Sequence, residues 1–285
     1  MLNKLLEVIL DPYPFRSLSL KIIKNFKMGS YEQRVRIGAV ERPQYGYCVY
    51  NAAALARKLG YPRMSILEFG VAGGNGLVNL EYHAEQISKL FGIEIEIYGF
   101  DSGEGLPEPL DYRDLPYEWK KGFYRIDYSQ LQPYLKKAKL ILGDIKQTSI
   151  DFFEKYSPAP IGAIAYDLDF YSSTVAALQM LEAAERYYLP RVFCYFDDTT
   201  GTESHLYNDY TGERLAINEF NQAHNNIKFG LPYHLLASKV VEPWYHRIWI
   251  CHFFEHARYN EFVSIEDHEN PLSARSKRFH SSDTE

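Results

Sequence analysis

Ile66-Leu67-Glu68-Phe69-Gly70-Val71-Ala72-Gly73-Gly74-Asn75-Gly76 is the stretch whose reading decides the fold. An apolar run ends in an acidic residue and a glycine-rich turn follows. Residues 77–90 then carry a helical pattern. Strand, tight turn and helix N-terminus in that order form a cradle for a nucleotide-like ligand, because the glycines let the backbone approach it closely. The glycine spacing is Gly70-x-x-Gly73-Gly74-x-Gly76. A dinucleotide fingerprint wants Gly-x-Gly-x-x-Gly. The frame that opens at Gly74 has Asn79 in place of its last glycine, which disfavours a nicotinamide cofactor.

Outward from this turn, strands and helices alternate. Strand-like runs fall at 65–69, 95–100, 139–142, 161–167 and 192–197, with helical segments near 77–90, 128–138, 150–156 and 174–188. Such alternation predicts a parallel sheet with helices on both faces. The nearly continuous apolar run Ile161-Gly162-Ala163-Ile164-Ala165 suits a strand buried on both sides. Two further strand candidates, 234–239 and 247–256, have no helix between them and read as an antiparallel hairpin at the sheet edge. The expected fold is therefore α/β: a Rossmann-like, seven-stranded, mostly parallel sheet with a C-terminal antiparallel hairpin. An alanine-rich helix is expected over about 47–59, ended by Gly60 and Pro62. Residues 1–60 read as a helical segment packed on or capping the core, 61–260 as the main α/β domain, and 270–285 as a polar, mobile tail.

The 285 residues suffice for one large domain, and 46% hydrophobic with 24% charged residues is an ordinary globular composition. A net charge of −6 and no Lys/Arg run argue against a nucleic-acid binder. Cys48, Cys194 and Cys251 are far apart and odd in number, neither a disulfide framework nor a zinc spacing. They fit buried thiols in a reducing cytoplasm. No apolar run reaches the ~20 residues that span a bilayer. A membrane-surface helix using Lys21, Lys24 and Lys27 is a minority reading of the N-terminal region.

Carboxylates recur at the strand ends. Glu68 closes the first strand, placed either to order the glycine turn or to face the ligand. Asp101, in Gly99-Phe100-Asp101-Ser102, is placed to accept from both hydroxyls of a ribose. Asp144, in Gly143-Asp144-Ile145, is placed to accept from an adenine amino group. Tyr166-Asp167-Leu168-Asp169-Phe170-Tyr171 closes the fourth strand and Asp197-Asp198 the fifth. Asp167 and Asp169 share a face while the backbone stays extended. Neighbouring strands lie ~5 Å apart. Up to four carboxylates so crowded repel unless a hard divalent cation neutralises them.

Five strings occur in order: Glu68-Phe69-Gly70-Val71, Phe100-Asp101-Ser102-x-Glu104-Gly105-Leu106-Pro107, Asp167-Leu168-Asp169-x-Tyr171-x-Ser173-Thr174, Asp197-Asp198 and Ala216-x-x-Glu219-Phe220. Together they resemble the macrocin O-methyltransferase family, within the class I S-adenosylmethionine (SAM) methyltransferases, over roughly residues 45–220. The resemblance implies methyl transfer from SAM to a sugar hydroxyl, with Mg²⁺ or Mn²⁺. It implies Asp167 as base and Asp169, Asp197 and Asp198 as metal ligands. The expected cofactor-binding set is Glu68, Gly70, Ala72, Gly74, Asn75, Asp101, Ser102, Asp144 and Ile145. The expected partner is a small-molecule hydroxyl acceptor, with no nucleic acid and no transmembrane segment; a homo-oligomer is compatible. Thr199 stands where the family has an aromatic residue, and residues 199–211 are longer than expected, which bears on the acceptor. His205 and His224 are secondary candidates for a base. The alternatives are a nucleotide-cofactor (NAD-type) oxidoreductase or epimerase, and a non-catalytic SAM-binding protein.

Overall fold

Seven strands form one sheet in the order β3-β2-β1-β4-β5-β7-β6. They are β1 (Arg63–Phe69), β2 (Glu94–Asp101), β3 (Lys139–Leu142), β4 (Ile161–Tyr166), β5 (Tyr188–Phe196), β6 (Ile227–Gly230) and β7 (Ile248–Phe253). The computed structural model describes residues 14–264; the expected tail at 270–285 lies outside them. Strands β1 to β5 are parallel, and β7 runs antiparallel to both β5 and β6. All six residues of β4 are buried, which is why its sequence shows no polar alternation.

Helices α3 (Pro43–Lys58) and α4 (Asn75–Phe91) cover one face. The fully buried Ala52, Ala53 and Ala56 let α3 lie close to the strands. On the other face, α6 (Ile145–Tyr156), α7 (Tyr171–Leu178) and α8 (Gly212–Ala223) enclose a core rich in Phe and Tyr. The helices α1 (Pro14–Asn25) and α2 (Tyr31–Arg36) precede α3. Cys48, Cys194 and Cys251 are free and buried, and burial pushes their thiols up.

Register decides where the strand ends fall. Phe69 lies opposite both Phe100 and Tyr166, and Tyr166 lies opposite Phe196. Their rings stack in sequence at 4.7, 5.4 and 4.4 Å between centroids, Phe100 on Phe69, Phe69 on Tyr166, Tyr166 on Phe196. Level strand ends put the next residues, Asp101, Gly70, Asp167 and Asp197, along a single edge. The strand order also reverses between β1 and β4, so a crevice opens at that edge.

Three expected elements differ. Residues 128–138 hold only the four-residue α5 (Tyr128–Leu131) and a 3₁₀ turn, Gln132–Tyr134, where Pro133 removes a backbone donor. The helix expected over 174–188 ends at Leu178 and tightens to 3₁₀ over Gln179–Glu182, before Ala183 turns extended. The antiparallel pair at the C-terminal edge is present, but its first strand is β6, not 234–239. That run instead contains most of the short helix α9 (Tyr233–Leu236), which begins after Pro232 and buries Leu235. A short apolar run cannot tell a strand from a helical turn by periodicity alone.

Candidate active site

Gly70 follows β1 at φ +84°, and a Cβ built there would lie 1.8 Å from the Asp167 carbonyl oxygen. No side chain fits between the glycine turn and the end of β4. The turn is held by Asp101. One carboxylate oxygen accepts from the backbone N–H groups of Val71 and Ala72, both at 2.9 Å; the other accepts from Gly103 N–H and the Tyr128 hydroxyl, both at 2.8 Å. Ordering the turn, one of the two roles read for Glu68, therefore belongs to Asp101. Glu68 lies against the start of α4, where a Cβ on Gly76 would fall 1.9 Å from its Oε1, and that oxygen accepts from the Tyr45 hydroxyl at 2.7 Å. Its Oε2 is buried without a hydrogen-bond partner. Burial pushes its pKa up to about 8, opposed by the Tyr45 hydrogen bond and by Arg42.

Gly74 caps α4 at φ +78° with no side-chain cap, and Asn75 and Gly76 open the helix, so its first N–H groups remain for a ligand. Leu131 of α5 sits against Gly74. Ala72 also has a positive φ, 41°. Ser102 is used locally, donating to the Gly105 carbonyl at 3.1 Å. Asp144 caps α6 through the N–H of Lys146 at 2.9 Å, and Ile145 begins that helix.

The second half of the edge is crowded with acid. Asp167, Asp197 and Asp198 each offer one oxygen, and the three lie within 4.8 Å of one another. Asp169 is not in that group; the three-oxygen set the geometry assembles contains Asp167 in its place. The reason is local backbone. Asp169 takes the left-handed conformation, φ +56°, and its N–H donates to Asp198 Oδ2 at 2.9 Å. Such strain in a non-glycine residue persists only where surrounding contacts over-determine it. Asp198 also accepts from the Tyr207 hydroxyl at 2.7 Å, and its own N–H donates to Glu213 at 2.8 Å. Asp197 is held by Arg247 at 2.5 Å and by the Tyr195 hydroxyl.

Burial, then the neighbouring carboxylates, pushes Asp167 well above the usual carboxylate range. The same causes push Asp169 up to about 8. Asp198 rises to about 6 through burial and Asp197, opposed by Tyr207, the Asp169 N–H and Arg247. Glu213 is raised by burial and by Asp198, and its Oε1 has no partner. Closely set hard oxygen donors, held deprotonated only at a penalty, fit a divalent cation at Asp167, Asp197 and Asp198.

Sequence reasoning missed the residues that hold these acids: Tyr45, Tyr195, Tyr207, Glu213 and Arg247. None carries a local motif, and each reaches the edge from a different element. The histidines are elsewhere. His205 faces Glu118 at 3.2 Å and packs between Trp119 and Tyr207. His224 stacks on Phe220 and faces Glu182. The segment 199–211 lies on residues 112–124, through the Tyr117 hydroxyl on the His205 carbonyl and Trp119 on His205.

No family model and no curated protein matches the chain. Among solved structures, the calicheamicin methyltransferase CalS11 superposes with a TM-score of 0.50 at 17% identity, covering 85% of this chain and 93% of that one. The O-methyltransferase NovP gives a TM-score of 0.49 at 12% identity, covering 84% and 97%. The chain shares the fold of CalS11. Among the described residues no helix is long and apolar enough to cross a membrane.

Proposed function

We propose that the chain is a SAM-dependent O-methyltransferase, assisted by a divalent cation, acting on a hydroxyl of a sugar or glycosylated small molecule. The observation that carries this reading is the convergence, on one sheet edge, of an uncapped glycine-turn cradle and a three-carboxylate group. The likeness in fold to CalS11 supports it.

SAM, when bound, supplies an electrophilic methyl group, so the protein needs alignment and a nucleophilic oxygen. The Gly70–Gly76 turn and the α4 N-terminus would hold its amino-acid end, and the ribose would meet Asp101. There the Tyr128 hydroxyl is the one donor that can swing away, because the other three are backbone N–H groups. Asp167, Asp197 and Asp198 would hold the cation, whose charge lowers the pKa of a nearby hydroxyl. Asp169 then takes the role of base, reversing the order that the family resemblance implies within the Asp-x-Asp pair. Its carboxylate lies outside the three-oxygen group yet on the same loop. It would accept the proton of the acceptor hydroxyl, leaving that oxygen as the nucleophile for the methyl group that SAM would supply. Tyr207, Arg247 and Glu213 keep the acids in place.

Calorimetry on the full chain tests the reading at its first step: S-adenosylhomocysteine should bind, and NAD should not. Binding of NAD alone would replace this reading with the oxidoreductase.

A further inference from the structure

A pocket of about 560 Å³ lies between α1, the segment 38–43 and the segment 239–243. Its walls are apolar at Leu20, Val40, Pro43, Val241 and Pro243. Its charged lining is basic: Arg16, Lys21, Lys24 and Lys239 against Glu242 alone. Glu242 pairs with Arg16 at 3.0 Å, and Lys24 pairs with Glu41 at 2.8 Å. Among the described residues Lys21 and Lys239 have no ion-pair partner, in a chain whose net charge is −6.

Two walls of this pocket are continuous with the acid edge. Pro43 lines the pocket, and its neighbours face the other way. Arg42 lies close enough to Glu68 and Asp167 to be stabilised by their charge, and Gln44 touches the Tyr195 hydroxyl that hydrogen-bonds Asp197. Pro243 also lines the pocket and opens the 3₁₀ turn Pro243–Arg247, at whose end Arg247 grips Asp197. From Pro243 to Arg247 the five-residue 3₁₀ turn rises ~8 Å along its axis. Lys21 and Lys239 line the pocket, while Arg42 and Arg247 stand beside the carboxylates on the two segments that also supply its walls.

We propose that this pocket binds the anionic end of the acceptor, and that the acceptor is a phosphorylated sugar, its phosphate or diphosphate between Lys21 and Lys239. This rests on the methyltransferase reading of the acid edge. A phosphate cannot approach three carboxylates without repulsion, so an acceptor that carries one needs cations placed at a distance from the reacting hydroxyl. The apolar walls suit whatever body the phosphate is attached to; a nucleoside and a bare diphosphate share the chemistry the lysines read.

The test is calorimetric titration of the full chain, at fixed ionic strength, with inorganic pyrophosphate and separately with uridine 5′-diphosphate. Wild type should bind both, with the nucleotide tighter if the apolar walls hold a base. The Lys21→Ala/Lys239→Ala variant should bind each at least tenfold more weakly, with S-adenosylhomocysteine affinity unchanged. Equal affinity of wild type and variant, or no binding of either probe while S-adenosylhomocysteine binds normally, overturns the proposal and leaves the methyltransferase reading standing. Pyrophosphate binding lost in the variant, in a protein that never binds S-adenosylhomocysteine, overturns the methyltransferase reading and with it the assignment of this anion as an acceptor.

Discussion

The two halves of the functional edge treat their carboxylates in opposite ways. At the end of β2, Asp101 receives four hydrogen bonds, three of them from backbone N–H groups that cannot leave. At the ends of β4 and β5, Asp167, Asp169, Asp198 and Glu213 all rise above the usual carboxylate range because burial and mutual repulsion exceed the donors supplied. One half is a finished scaffold and the other is charge held ready for something more. Buried acid that lacks donors is destabilising in itself, and this imbalance is what the proposed cation would relieve.

The sharpest break of this comparison removes acid from the crowded half. Asp197→Asn with Asp198→Asn should abolish methyl transfer and Mg²⁺ binding, as EDTA should in the wild type, while the circular dichroism spectrum stays native. Full turnover in EDTA would show that the crowding serves no metal.

Next in size is the base. Asp169→Asn should cut turnover by ~10²–10⁴ with S-adenosylhomocysteine affinity nearly intact. Asp167→Asn should instead raise the Mg²⁺ concentration for half-maximal rate. The opposite pattern in steady-state kinetics restores Asp167 as base.

A buried group with all its partners supplied sharpens the contrast. His83 is fully buried, between the Tyr31 hydroxyl at 2.6 Å and the Glu41 carbonyl at 2.9 Å. Nε2–H donates to the carbonyl and Nδ1 accepts from the hydroxyl, so the ring is neutral. Burial lowers its pKa to about 4 from 6.5. Between those values the unfolded chain binds a proton that the folded chain does not, so this contribution is intact above pH 6.5 and lost as pH falls towards 4. The full loss is roughly 3 kcal/mol at 1.36 kcal/mol per pKa unit. The raised carboxylates act in the opposite sense, so the measurement is a difference: urea denaturation of wild type and His83→Gln from pH 7.5 to 4. Parallel curves refute the assignment.

Asp101→Ala should weaken S-adenosylhomocysteine binding by about 1–3 kcal/mol and lower stability, because it frees backbone donors as well as the ribose acceptor. Tyr128→Phe is the smallest change. It removes the one donor that the ribose would displace, so S-adenosylhomocysteine affinity should rise or hold within a few-fold; a tenfold loss would mean that Tyr128 binds the cofactor itself.

Much of this edge could be read from residue order. A strand that ends in Glu68, a glycine turn and a helix start are local, and so is an Asp two residues after another. The ends of β1, β2, β4 and β5 were legible because apolar runs stop where the backbone leaves the sheet. What stayed illegible was every partner brought in by topology. Tyr45 comes from α3, Tyr207 from the 199–211 segment and Arg247 from the end of the 3₁₀ turn before β7, at separations no periodicity encodes. The strand at Ile227–Gly230 was missed because four residues at the sheet's edge carry too little pattern.

The sequence by itself determined the α/β class, the ligand edge and the set of acids at its two strand ends, because side-chain period and glycine spacing are properties of neighbouring residues. Only the tertiary structure decided how those acids divide. The register of β1 on β4 made Gly70 obligatory against the Asp167 carbonyl. Asp169 turns left-handed with its N–H on Asp198, and Asp167, not Asp169, completes the three-oxygen group. Two residues apart on one strand share a face; a single positive φ at the second of them undoes that rule, and only packing across strands can hold such a φ in place.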